Sequence, residues 1–166
     1  MRRVREKTGE TRMGKAFSAV KEGLQAYADR GVFRSFAEQA TKDQKVEFQF
    51  LLFGQRTLTI VLSEKEHTMV LKNMLPDVST DMHAHLKAFL KELFDPGLPE
   101  HRRIDKNLAE VKFVKRGGGL SLVFQVKKNQ YKYGVNKLIN LASWIHTDLQ
   151  SWYPNYLAEV MGEPQE

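Results

Sequence analysis

Between Val46 and Leu71, apolar and polar residues alternate in three runs. Val46, Phe48, Phe50 and Leu52 are separated by Glu47, Gln49 and Leu51; Leu58, Ile60 and Leu62 follow Gly54-Gln55 and alternate with Thr57, Thr59 and Ser63; Thr68 to Leu71 follows Glu64-Lys65-Glu66. A period of two puts one face of a sheet against a core and the other toward water. Links this short join antiparallel neighbours, because a parallel pair needs a long crossover. The stretch therefore predicts a meander.

Around it the period changes. Phe17, Val20, Leu24, Tyr27 and Ala28 recur at helical spacing and predict an amphipathic helix over 14–29, closed by Arg30-Gly31. Val32, Phe33 and Phe36 mark a further strand, which the pattern leaves open from Ala37 to Ala40; Thr41 to Gln44 reads as the turn into the meander. After Leu75-Pro76-Asp77, either Asp77 or Ser79 can cap a helix with the stripe Met82, Leu86, Phe89, Leu90 and Leu93. Asp95-Pro96-Gly97 stops that helix, and residues 95–107, with Pro99, read as an irregular hinge. Val111 and Phe113, then Gly117-Gly118-Gly119, then Leu120, Leu122, Phe124 and Val126 predict a hairpin. A last helix carries Val135, Leu138, Ile139, Ala142, Ile145, Leu149 and Trp152 on one stripe; Pro154 breaks it, and Tyr156-Leu157 adds a turn. The expected fold is α+β: an antiparallel sheet in the order helix, three or four strands, helix, hairpin, helix, with the helices packed on the sheet.

A chain of 166 residues, 42% hydrophobic and 28% charged, suits one domain with a real core, expected over 14–160. Residues 1–13 are polar and without period and are expected to form a disordered basic arm, with 161–166 as a tail. No apolar run reaches transmembrane length, and no apolar segment follows the basic N-terminus as in a secretory signal; a cytoplasmic protein without membrane contact is expected. The absence of cysteine excludes disulfides, thiolate metal sites and a cysteine nucleophile.

The net charge of +6 is uneven: residues 101–137 hold ten basic against two acidic residues, whereas 138–166 hold four acids and no Lys or Arg. Arg102, Arg103, Lys127, Lys128 and Lys132 are a candidate anion or nucleic-acid surface, with Tyr131 and Tyr133 interleaved to stack bases. The same lysines also read as a hairpin rim that discourages edge-to-edge pairing.

Catalytic chemistry finds little support. His83 and His85 are two apart on a helix and diverge, no HExxH spacing occurs, and no carboxylate cluster completes a metal site. The three glycines join two strands and lack the frame of a phosphate-binding loop, and Ser143 and Ser151 have no base beside them. The expectation is a protein that is not an enzyme, with no catalytic residue, metal or cofactor.

Three blocks carry a family resemblance: Arg56-Thr57-Leu58-Thr59-Ile60-Val61-Leu62 after a glycine turn; Ala109 to Phe113 paired across a turn with Leu120 to Val126; and the long helix that follows, ending near Tyr156-Leu157. Over roughly 17–158 this pattern resembles the YbjN-like group, similar in fold to the chaperones of type III secretion. The resemblance implies a noncatalytic α+β domain, often a homodimer, that binds other proteins; in the secretion chaperones partner segments wrap around the domain in extended form. The candidate partner surfaces are Met82, Leu86, Phe89 and Leu90 on the middle helix and Leu141 with Trp144 on the last, where Trp144 also reads as the edge of the core. Nucleic-acid binding through 101–137 is the alternative.

Overall fold

The computed structural model describes residues 2–40, 45–52 and 56–163. In chain order the elements are α1 (Arg2–Asp29), β1 (Arg34–Ala40), β2 (Lys45–Leu51), β3 (Thr57–Ser63), β4 (Thr68–Leu75), α2 (Thr80–Glu92), a 3-10 turn (Glu100–Arg102), β5 (Ala109–Arg116), β6 (Gly119–Val126), α3 (Tyr131–Trp152) and α4 (Pro154–Glu159). The six strands form one antiparallel sheet in the order β1-β2-β3-β4-β6-β5. The hairpin is thus joined to the meander through β6, and β1 and β5 are the edges.

Alternation in sequence becomes alternation of burial. Phe48 and Phe50 of β2, Leu58 and Ile60 of β3, Met69 and Leu71 of β4, and Leu122 and Phe124 of β6 are buried under the helices. Phe17 of α1 stacks on Phe48, with ring centroids 5.8 Å apart. At Gly134 of α3, an added β-carbon would stand 2.6 Å from Met69 Cε, so the missing side chain lets the helix seat directly on β4. The opposite face of the sheet, Ser63 and Gly119 excepted, keeps its described side chains half-buried or exposed.

Local signals set the ends of elements. Ser79, rather than Asp77, caps α2 by accepting from Met82 N–H at 3.1 Å. Gly117 and Gly118 take φ of +55° and +82°, the left-handed pair that a two-residue hairpin turn requires. Pro154 stands in the first turn of α4, where its missing N–H costs nothing.

Several expectations need correction. α1 begins at Arg2, so residues 2–13, expected as a disordered arm, take helical backbone. They contain Arg, Lys, Glu and Met and no proline, and extending a formed helix adds one hydrogen bond per residue fixed. β1 runs through Ala40, with a register shift between Arg34 and Ala37. The expected turns at Thr41–Gln44 and Gly54-Gln55 lie outside the described residues. Part of the expected tail is bound to the body: Arg56 donates to Met161 Sδ at 3.4 Å, and His146 Nε2 meets Glu163 Oε1 at 2.7 Å.

The stretch 95–107 is not a hinge. Ile104 is buried and its N–H donates to Leu93 C=O at 2.8 Å; Asp105 N–H donates to Tyr133 Oη at 2.8 Å; Lys137 Nζ donates to Glu100 C=O at 2.8 Å. Two prolines made the stretch irregular, but side chains of α3 tie it down. Trp152, expected on the buried stripe, is the last residue of α3 and is 67% exposed. No helix of the described residues is long and apolar enough to cross a membrane.

Candidate binding surfaces

The helix residues singled out as partner surfaces belong mostly to the core. Met82, Leu86, Leu90 and Leu141 are buried, and Phe89 and Trp144 are half-buried against the same cluster. A helical stripe looks the same in sequence whether it faces a partner or the protein's own sheet; here the sheet takes it.

The basic residues gather around one end of the sheet without forming a uniform patch. Lys127 N–H donates to Leu108 C=O at 2.9 Å, which sets the turn before α3 beside the loop before β5. Arg102 is exposed in the 3-10 turn, and Arg103 donates to Pro96 C=O at 3.1 Å. Lys127 pairs with Glu110 at 3.1 Å; Lys128 occupies a left-handed turn position, φ +55°; Lys132 is exposed in the first turn of α3. The two tyrosines do not offer free faces. Tyr131 is 4% exposed and its hydroxyl meets His67 Nδ1 at 3.0 Å. Tyr133 carries Lys137 Nζ 5.5 Å from its ring centroid. Burial holds Lys137 below the usual lysine range; Glu100 opposes that shift and Arg103 adds to it.

Histidines tie elements together. His85 Nε2 meets Asp148 Oδ2 at 2.6 Å, joining α2 to α3, with the Trp152 and Tyr153 rings 5.6 and 5.4 Å from its own. Tyr156 donates to Pro76 C=O, and burial pushes its phenol well above the ordinary tyrosine range.

Among the described residues, two further surfaces stand out that the sequence did not single out. The first is the β5 edge. The β5–β6 ladder runs without a shift from Ala109↔Val126 to Arg116↔Gly119. Pairs alternate along an antiparallel ladder. With Arg116 and Gly119 bonded across the two-residue turn, Val114, Lys112 and Glu110 bond toward β6. The backbone groups of Val111, Phe113 and Lys115 then point off the sheet. Two depressions flank this edge, of about 410 and 420 Å³, and both are lined by Phe94, Val111 and Lys112. Phe113 and Leu90 line one of them, and Val123 and Gln125 the other. Lys87, Lys91, Lys106 and Lys112 stand along their rims, against Glu110, which Lys127 holds. The hairpin lysines were legible in sequence; the place of β5 at the edge depends on strand order, which sequence did not fix.

The second surface is the open sheet face. Val61, Val70 and Val123 sit in register across three strands, with Val114 nearby, in a depression of about 510 Å³. Lys72 and Arg116 line it and make no ion pair among the described residues. Comparison of the chain with protein-family models, with curated proteins and with solved structures finds no match.

Proposed function

We propose that this protein is a noncatalytic binding domain that takes an extended segment of a protein partner as an added strand on β5. One observation carries the reading: a straight eight-residue edge strand with depressions on both sides. Successive side chains of an added strand point to opposite faces, so alternate residues would enter alternate depressions. The phenylalanine and valine lining calls for apolar side chains there, and the lysine rims call for Asp or Glu flanking them. The resemblance to the YbjN-like group points to the same class of function. A second copy of the chain is the less favoured occupant, because it would bring its own lysines to the same rims. The buried Tyr131 and the covered Tyr133 weigh against base stacking and therefore against the nucleic-acid alternative.

Val111→Pro tests the reading. It removes an N–H that points off the sheet, and proline is tolerated on an edge strand in that position. A labelled peptide of alternating Val and Thr with Glu at both ends should bind the wild type, weaken with salt, and fail to bind Val111→Pro. Equal binding by the variant, or by a peptide with Lys at both ends, overturns it. Sizing with light scattering reads self-association, and a dimer lost in Val111→Pro would make the second copy the occupant. Binding only to a single-stranded oligonucleotide would favour the alternative.

A further inference from the structure

We infer that the open sheet face holds a binding site for a small amphipathic anion, an apolar body with one carboxylate or phosphate head. The floor is the valine row. Val61, Val70 and Val123 are directly paired across β3, β4 and β6, and all three are half-buried although no helix covers them. Three strands in register span two spacings, so the apolar floor is about 10 Å wide. The depression of about 510 Å³ falls within the usual size of small-molecule sites.

The hairpin end of the depression is polar and is built around one strained residue. β4 loses register with β6 after Leu71, and Asn73 adopts a left-handed φ of +46°. Its backbone is held on both sides: the N–H donates to Ser121 Oγ at 2.9 Å, and the C=O accepts from Arg56. Its side chain occupies space that only a glycine leaves open, since a β-carbon at Gly119 would lie 2.0 Å from Asn73 Oδ1. A non-glycine residue is disfavoured in that region, least so asparagine, and persists there where surrounding contacts enforce it. Here the outcome is a carboxamide fixed at the same end of the depression as Lys72, Arg116 and Ser121.

Charge sets the direction of the ligand. At the far side of the row Glu47, paired with Val61, stands beside Lys45 and the two charges offset each other, whereas Lys72 and Arg116 stand together without an acid in the lining beside them, so an anionic head is drawn to that pair. A cationic amphiphile lacks that preference. The site shares Val123 with one of the two depressions beside β5, but Lys72, Asn73 and Arg116 line neither of those, so it does not depend on the added-strand reading.

The test uses the full chain and four probes: sodium octanoate and octyl phosphate below micelle formation, octylammonium, and inorganic phosphate. Amide and methyl NMR shifts report the location. Octanoate and octyl phosphate should saturate, moving Val61, Val70, Val123 and Gly119. Lys72→Gln and Arg116→Gln, both exposed positions, should each weaken binding about tenfold or more, the worth of a charge-assisted hydrogen bond. Both phosphate probes binding equally well would show a head-only site and overturn the proposal. It also fails if octylammonium binds as tightly, if the two variants bind unchanged, or if shifts fall on the helix-covered face. Vesicles of anionic phospholipid provide the last arm: sedimentation with vesicles without binding of free octanoate would mean a membrane surface and not this site.

Discussion

Gly23 of α1 lies so close to Val135 of α3 that a β-carbon on the glycine would stand 2.5 Å from Val135 Cγ1. Two terms then oppose each other in Gly23→Ala. The helix gains about 1 kcal/mol from the better residue, while overpacking costs about 1–3 kcal/mol. The expected outcome is a net loss, read as a lower urea midpoint. Gly23→Ala combined with Val135→Ala should be less destabilised than the two single losses added, by about 1 kcal/mol, because the second change removes the clash. Simple additivity would show that the helices do not meet there.

Trp152 and Leu149 are three residues apart on α3 and differ in energetic weight. Leu149 is fully buried, so Leu149→Ala should cost about 2–5 kcal/mol. Trp152 is 67% exposed, and Trp152→Ala should cost within about 0.5 kcal/mol. Equal losses in chemical denaturation would return Trp152 to the core.

Lys137 links stability to alkaline pH. Its folded pKa lies below 10.5 because it is buried, so between the folded value and 10.5 the unfolded chain binds more protons. Stability therefore rises with pH across that interval. Tyr133, whose pKa is raised chiefly by burial, acts in the opposite sense above its ordinary value of 10.0. Lys137→Met keeps that tyrosine. The wild-type stability minus that of Lys137→Met should grow as the pH rises toward 10.5. A flat difference would mean that the ammonium is solvated.

The loop at 95–107 should resist trypsin despite Arg102, Arg103 and Lys106. Tyr133→Phe removes the hydroxyl that accepts from Asp105 N–H, should cost about 1 kcal/mol, and should open the loop to cleavage. Mass spectrometry of the first fragments decides. Rapid cleavage of the wild type at these residues would restore the hinge that the prolines suggested.

Strand and helix positions were legible because burial repeats with a fixed period. Phe48, Ile60 and Leu122 could be placed on one face from sequence alone. Strand order was not, since either hairpin strand has the alternation needed to join β4. That one unknown concealed the β5 groove. The open-face depression was hidden for a related reason: Val61, Val70 and Val123 are far apart in sequence and read as minor positions of their strands until the ladder aligns them. Asn73 gave no signal, because a left-handed asparagine is set by the glycine opposite it. The stripe of α2 was visible, but what it faces was not.

The ladder between β4 and β6, with Met69 opposite Phe124 and Val70 opposite Val123, has a further consequence. Strands β1 to β4 precede Pro96 in the chain, and β5 and β6 follow it, so the sheet consists of two contiguous pieces closed along one seam. A break in the backbone at Pro96-Gly97 would cut no strand and no long helix. The two fragments would each carry a complementary unpaired edge, and the fold would become a bimolecular complex whose assembly follows fragment concentration.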